Sequence, residues 1–395
     1  MTPPPRVHGM DGTLVEPDWP PLTLPEARQL LAGFPDLGEP LDISWISPRP
    51  LSAAARVRTT RREIFVKRQH RSVRDRAGLL EEHLFLDHLL ANRVSVPRVL
   101  RDRRGETAIE SGEWTYEVHA TANGIDLYAD AISWQPFTSA AHARSAGAAL
   151  AALHLASESF SAPARKAQPL LAGFTIFAAP DPAASMESYL RARPLLDSSA
   201  GVRRCARRAL DLLAGFHAEL CPYLPHLESL WTHNDLHCSN LLWSDSSEDA
   251  RATAIIDFGL ADRTNAVHDL AQAIERNIVG WLALVQHPDR PEDVPLHLDH
   301  LQALLDGYES VRPLAAHEAE ALAPMTALCH AEFALSEAEY FLGPLHSDPK
   351  ARMAYDGWLV GHAEWFHSAR GRSLLDAIRR RAARRAGCAG TVVRA

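Results

Sequence analysis

The sequence predicts an α+β protein of two lobes: a small antiparallel β-sheet lobe with one helix, then a larger and mainly helical lobe. Three observations predict it. Between residues 41 and 120 the chain is a succession of short runs rich in β-branched and aromatic residues, separated by turn signals. One helical stretch interrupts them, GLLEEHLFLDHLLANR at 78–93. After Asn123-Gly124 nearly all apolar runs take helical period, starting with the alanine-rich TSAAHARSAGAALAALHLAS at 138–157. A chain of 395 residues also exceeds what one compact core serves. The expected division is an N-terminal arm and helix at 1–40, a first lobe at 41–122 and a helical lobe at 123–395.

In order along the chain, residues 1–22 are proline-rich and polar and predict an irregular arm. Thr23-Leu-Pro-Glu26 has capping-box spacing with proline in the first turn, so a helix should open through EARQLLAGF. LDISWIS, AARVRTT and REIFVKRQ predict strands, and VPRVLRD, TAIES and WTYEVHA repeat that style around the turn RRGE. The helix between them should end before Val96-Pro97. The alanine-rich helix should be capped at Thr138 or Ser139. NLLW and TAIID, joined by SDSSEDARA, predict a hairpin inside the helical lobe. The last stretch, SLLDAIRRRAARRAG, predicts a basic amphipathic surface helix.

Composition narrows the function. Asp and Glu (49) exceed Lys and Arg (41), for a net charge of −8, which argues against a mainly nucleic-acid-binding protein. Arg56 to Arg76 is locally basic, yet it has few interleaved aromatics and predicts solvated strand edges. No apolar run has the length of a membrane span, and MTPPPRVHGMDG has no hydrophobic signal core. Five cysteines without paired spacing predict reduced thiols, and with these features a cytoplasmic protein. Only three of the basic residues are lysines, and of these Lys67 alone lies in an apolar run, REIFVKRQ. It is a candidate for a place where a compact ammonium is required.

The most informative stretch is WTHNDLHCSNLLW, Trp231 to Trp243. His233, His237 and Cys238 have partial zinc-ligand spacing, but a fourth ligand is missing. The stretch can also be a polar loop whose Asn and Asp only cap backbone groups. Residues further along the chain favour a third reading. Asn240 comes five residues after Asp235, and seventeen beyond it a strand ends in Ile255-Ile256-Asp257-Phe258-Gly259. His-x-Asp-x4-Asn before a strand ending in Asp-Phe-Gly is the arrangement phosphoryl transfer needs. Asp235 can orient a hydroxyl and take its proton. Asn240 and Asp257 can offer hard oxygen ligands to magnesium from adjoining loops. His233 would brace the loop.

These residues resemble the kinase-like small-molecule phosphotransferases, the group of aminoglycoside phosphotransferases, choline kinases and homoserine kinases of that fold. HNDLHCSN and IIDFG carry the resemblance, supported by AALAALHLA near 151–155 and by HDLA at 268–271, twelve residues past Asp257. It covers about residues 41–345. It implies a two-lobed, protein-kinase-like fold that uses ATP and Mg2+ to phosphorylate a hydroxyl of a small molecule, with Asp269 bracing the catalytic loop.

A lobe of that kind holds ATP with a strand lysine fixed by a helix carboxylate. Lys67 is the only lysine of the first lobe, and Glu82 sits in an apolar stripe with Leu79, Leu86 and Leu89. A carboxylate there wants a partner, so a Lys67–Glu82 pair is expected. The loop SPRPLSAAARV has no glycine, and the Ser52 hydroxyl is expected to donate to a phosphate. Adenine is expected along Glu117 to His119, on main-chain groups. The segment Asp289–Tyr340 carries eleven acidic residues against two arginines, with Glu332, Glu337 and Glu339 among apolar residues. An amino sugar or amino alcohol is the expected acceptor; a hydroxy amino acid such as homoserine, or a non-catalytic nucleotide-binding scaffold, is the alternative. The sequence does not specify an oligomeric state.

Overall fold

A computed structural model describes residues 6–9, 11–132 and 134–392, the last seven of these as backbone only. Strands β3 (Pro40–Ile46), β4 (Ala53–Thr59), β5 (Glu63–His70), β6 (Ile109–Ser111) and β7 (Trp114–Ala120) form an antiparallel sheet in the order β3-β4-β5-β7-β6. Helix α1 (Leu24–Leu31) begins at the expected capping box, with reciprocal bonds between Thr23 and Glu26. It covers one face of the sheet, where Ala27 and Leu31 pack with Val57, Ile64, Val66 and Val118. Because side chains alternate along a strand, Phe65 and Lys67 then point to the opposite face. Ala54, Lys67 and Glu117 are cross-strand partners there. Helix α2 (Arg76–Ala91), capped by Asp75, buries Leu79, Glu82, Leu86 and Leu89.

Two expectations need correction. VPRVLRD is not a strand of the sheet. Pro97 lacks an N–H and cannot join a ladder there, and the segment contributes only the Val99–His119 bridge with bonds from Leu100 N to Val118 O and Ala120 N to Arg98 O. The N-terminal arm is not wholly irregular either. It forms a small hairpin, β1 (Val7–His8) with β2 (Leu14–Val15), and then straps the lobes together. Trp19 stacks on His70 at 5.1 Å and donates to the Tyr340 hydroxyl at 2.9 Å, while Asp18 pairs with Lys350.

In the second lobe, α3 (Ala140–Ser157) starts at its Ser139 cap and packs against α9 (Leu298–Glu309). Gly147 and Gly307 lie at that crossing, where a Cβ would collide with the carbonyls of Leu304 and Arg144. Between these helices come α4 (Pro182–Arg191), α5 (Pro194–Ser198), α6 (Ala200–Leu220), α7 (Ala266–Ile278) and α8 (Trp281–Gln286). Two short antiparallel pairs carry the polar loops: β8 (Ser229–Thr232) with β11 (Asp262–Asn265), and the expected hairpin β9 (Leu241–Trp243) with β10 (Ala252–Ile255). Helices α10 (Ala316–Leu328) and α11 (His330–Leu342) complete the core, and every residue of α7 is buried. The helix Ala369–Val392 is tied down by Arg379–Glu219 and Arg381–Glu309 pairs and buries Leu374, Leu375 and Ile378. In the basic strand region, Arg68 pairs with Glu26, Arg58 with Asp42 and Arg76 with Glu106, in keeping with structural charges. No described helix is long and apolar enough to cross a membrane.

Candidate active site

The loop between β8 and β9 is held from below by α7. The Asp269 carboxylate is fully buried and accepts from the amides of His233 and Asn234, each at 2.8 Å, and from His154 Nε2 at 3.0 Å. Burial alone would raise its pKa; the bonds from His154 and the nearby histidine charges outweigh that and hold it below the ordinary value. Asn234 adopts φ +59, a left-handed conformation that Asn tolerates better than most residues. Its Oδ1 accepts from the hydroxyls of Thr232 and Thr264. Asn277 adds a third brace, accepting from Cys238 N at 2.9 Å and donating to Leu236 O at 2.8 Å. His233 Nε2 donates to Ile256 O at 3.0 Å, tying the loop to the Asp-Phe-Gly segment. Its ring is thereby spent. Among the described residues, His233, His237 and Cys238 form no metal-ligand cluster.

Asp235 stands above this frame. Asn240 Nδ2 donates to its Oδ2 at 3.0 Å and to its main-chain oxygen at 2.9 Å, which leaves the Asn240 Oδ1 for another partner. Asp257, at φ +61, presents a side chain that is 46% exposed. Carboxylate and amide oxygens from adjoining loops are a donor set that fits a hard divalent cation.

Lys67 differs from expectation in its partner. Its ammonium bonds Asp257 Oδ1 at 2.7 Å rather than Glu82. Burial alone would lower its pKa, but Asp257, Glu117 and Glu82 together raise it, so it stays charged. Glu82 is buried at 2% exposure, and its Oε2 has Arg165 Nη2 at 3.9 Å. Arg165 also donates to the carbonyls of Gly78, Gly259 and Ala261, so it ties α2 to the Asp-Phe-Gly segment. Three cations, Lys67, Arg74 and Arg165, lie within the field of Glu82 and Asp257, and packing decides which pairs close.

Glu117 and His119 bond each other through one atom each, which leaves Glu117 Oε1 and His119 Nδ1 without a partner among the described residues. Glu117 Oε2 accepts from His119 at 2.8 Å and His83 at 3.0 Å. Burial would raise its pKa, but these histidines and Lys67 hold it well below the carboxylate range. The main chain of Val118 and Ala120 is taken by Leu100 and Arg98, with β5 on the other edge. The first residues past this paired strand are Thr121 and Ala122, which line the cleft.

Two cavities meet at this site. One, of about 370 Å³, lies between the sheet and the second lobe and is lined by Phe65, Glu117, Thr121 and Phe258 among others. The other, of about 160 Å³, lies deeper and is lined by Asp235, Trp134, Trp281, Phe333, Glu337 and Trp358. Ser52, Lys67, Asn240 and Asp257 border both, and so does Arg49. Asp235 borders only the deeper one.

Sequence reasoning missed Arg49, and it missed Arg276. Arg276 is 2% exposed and pairs directly with Asp235 Oδ1, its guanidinium 4.7 Å from the Phe333 ring. The signal was present: Arg276 comes seven residues after Asp269, two turns along one face of α7. Of the three singled-out glutamates, Glu332 binds the amides of Thr175 and Ile176, and Glu339 pairs with Arg193 at 3.1 Å. Glu337 alone faces the deeper cavity, with Oε2 buried and without a partner among the described residues, and burial pushes its pKa up to about 8.

Comparison with known proteins identifies the family and the fold. The profile of the phosphotransferase enzyme family matches residues 50–314. No curated protein matches the sequence. Among solved structures, a microcompartment-associated aminopropanol kinase is similar at 20% identity and TM-score 0.54, covering 87% of this chain and 98% of its own. An aminoglycoside phosphotransferase solved with ADP and hygromycin B is similar at 15% identity and TM-score 0.52, covering 85% and 98%. The amicoumacin kinase solved with AMP-PNP and Ca2+ is similar at 13% identity and TM-score 0.51, covering 84% and 95%. At these identities the likeness is one of fold, the two-lobed, protein-kinase-like architecture. With the family profile spanning more than half of its length, the chain belongs to the phosphotransferase enzyme family.

Proposed function

We propose that the protein transfers the γ-phosphoryl group of ATP, with Mg2+, to a hydroxyl of a compact amine-bearing alcohol. One observation carries the reading: two cavities share the borders Ser52, Lys67, Asn240 and Asp257, while Asp235 lies only on the far side of that junction. A nucleotide in the larger cavity would direct its terminal phosphate toward the junction, and an acceptor in the deeper one would meet Asp235. Lys67 grips the α- and β-phosphates, exchanging its bond to Asp257 for them. Asn240 Oδ1 and Asp257 hold the cation, whose charge would offset that of the phosphates. The Ser52 hydroxyl donates to a phosphate oxygen. Asp235 orients the acceptor hydroxyl and takes its proton. Glu82 and Arg165 position α2 against the Asp-Phe-Gly segment. In domain terms, 41–122 is the nucleotide lobe and 123–395 the catalytic and acceptor lobe.

The deeper cavity supports the acceptor class. Its size suits a compact molecule better than a multi-ring amino sugar, its walls are aromatic, and Glu337 is its unpartnered carboxyl. An ammonium against tryptophan faces and one carboxylate is favourable. A hydroxy amino acid is the alternative acceptor: Arg74 borders the same cavity, with only its Nη2 committed, to the carbonyls of Leu170 and Gly259. The test is ADP release from Mg-ATP across amino alcohols, aminoglycosides, sugars and hydroxy amino acids. Turnover restricted to amino alcohols is the expected result. Turnover with homoserine alone would replace the acceptor class, and ATP binding without turnover on any acceptor would favour a scaffold.

Glu337 gives this reading a pH signature. A cation binds the ionised carboxyl, which near neutrality must first lose a proton because burial holds its pKa at about 8. The acceptor KM should therefore fall as pH rises toward 8, by about tenfold per unit well below that value, and then level off. Glu337→Gln should raise KM and abolish the slope. Steady-state kinetics from pH 6 to 9 checks both.

A further inference from the structure

We propose that Arg49 is a catalytic residue whose guanidinium binds the phosphoryl group in transit between the two cavities. The inference rests on the phosphotransfer reading and adds a residue to it. The loop between β3 and β4 reads Ser47-Pro48-Arg49-Pro50-Leu51-Ser52. A phosphate-binding loop ordinarily works through main-chain amides brought close by glycine. This loop cannot do so at its tip. Pro48 and Pro50 have no N–H, and the amide of Arg49 is spent on Ser47 Oγ at 3.2 Å. The two prolines also stiffen the tip: each fixes its own φ, and Pro50 biases Arg49 toward extended backbone. With the amides of its Pro48-Arg49-Pro50 tip absent or spent, the loop presents one cationic side chain there instead.

The placement of that side chain fits the role. Arg49 borders both cavities, together with Ser52, Lys67, Asn240 and Asp257. Its Nη1 donates to Ala131 O at 2.8 Å and approaches His8 Nδ1 at 3.2 Å, which anchors one end of the planar fork. Among the described residues, neither Nε nor Nη2 has a hydrogen-bond partner, and no carboxylate lies within ion-pair distance of the guanidinium. Burial lowers its pKa, and Asp126 and Asp257 only partly offset the effect, so the charge is under-compensated. A half-buried arginine held at one end and open at the other is arranged to receive an anion.

The atoms and electrons of the step balance. The acceptor oxygen bonds to the γ-phosphorus while the bond from that phosphorus to the β–γ bridging oxygen breaks. ADP leaves with that electron pair, and the hydroxyl proton passes to Asp235. Negative charge moves onto the bridging oxygen during transfer, and the free N–H groups of Arg49 meet charge that is larger in transit than in bound ATP.

The test compares the full-length protein with Arg49→Ala by calorimetry, using Mg-AMP-PNP as the ground-state probe and Mg-ADP with and without aluminium fluoride as the transition-state probe. Wild-type protein should bind Mg-ADP more tightly with aluminium fluoride. Arg49→Ala should lose at least about tenfold of that gain and lower kcat about 10²–10³-fold, while AMP-PNP affinity stays within about threefold. An equal gain in both proteins, or none in either, overturns the assignment. So does a parallel loss of AMP-PNP affinity, which would mark a structural or ground-state role. Should Arg49→Ala fail to fold, Arg49→Lys decides: it can keep the bond to Ala131 but lacks the fork, and it should also lose the fluoride-dependent gain. Asp235→Asn separates the two readings. Undiminished turnover in that variant would remove Asp235 as the base, whereas its loss alongside a normal Arg49→Ala would sink only the role of Arg49.

Discussion

Asp235→Asn is expected to lower acceptor-dependent turnover by about 10²–10⁴-fold, the range for losing a positioned general base. The substitution preserves shape. Asn240 Nδ2 can still bond the side-chain oxygen that replaces Asp235 Oδ2. What disappears is the capacity to take a proton, along with the negative charge facing Arg276. Because Arg276 is 2% exposed and has no other carboxylate in ion-pair range among the described residues, its guanidinium would be left uncompensated. Breaking a fully buried pair costs about 3–5 kcal/mol. Here the aspartate side chain is 14% exposed, so water reaches it and the loss should be smaller. A melting curve beside single-turnover kinetics distinguishes lost chemistry from lost fold. Calorimetry with AMP-PNP should give unchanged affinity. Turnover within a fewfold of wild type would remove Asp235 as the base.

Asp269→Ala is expected to be the most destabilising single change in the site, by about 3–5 kcal/mol in a denaturant titration. The carboxylate is fully buried and serves three donors: His154 Nε2 and the amides of His233 and Asn234. Deleting it strands all three at fully buried positions, and each buried unsatisfied donor costs about 1–3 kcal/mol before relaxation. The same amides carry the loop that presents Asp235, so activity should fall with stability. Acid sensitivity should change with a definite sign. The folded pKa of Asp269 is held below its ordinary value, so its contribution is complete above the unfolded pKa of about 4 and is lost as pH falls through the folded value. Asp269→Asn, which cannot titrate, should flatten the acid limb of stability. A variant as stable as wild type would show that α7 holds the loop by packing alone.

The wiring of the site divides by sequence separation. Asp235, Asn240 and Asp257 stand within a stretch of 23 residues, on a loop and a hairpin whose turns are written locally, so their adjacency was legible. The capping boxes and caps at Thr23 and Ser139 were legible for the same reason: they depend on three or four consecutive residues. The exception was VPRVLRD, where strand propensity was present but Pro97 withheld the hydrogen bond that a ladder requires. Propensity describes a residue's own preference, whereas ladder membership depends on both edges.

The partners of the charged groups were not legible. Lys67 lies in the field of Asp257, Glu117 and Glu82, and a sequence cannot rank three carboxylates whose distances depend on how a sheet closes over a helical lobe. Arg276 reaches Asp235 from 41 residues away, and Glu337 reaches the same cavity from 102, each carried there by a helix whose orientation is set by core packing. The N-terminal strap is the same case, because Trp19 meets Tyr340 across 321 residues. The chain therefore determined most of its strands, its helices and the local order of the Asp235–Asn240 loop, through short-range periodicity and hydrogen bonding. The tertiary structure alone decided which ions pair and which cavity each carboxylate faces, because long-range electrostatics takes its distances from the packed core and not from the chain.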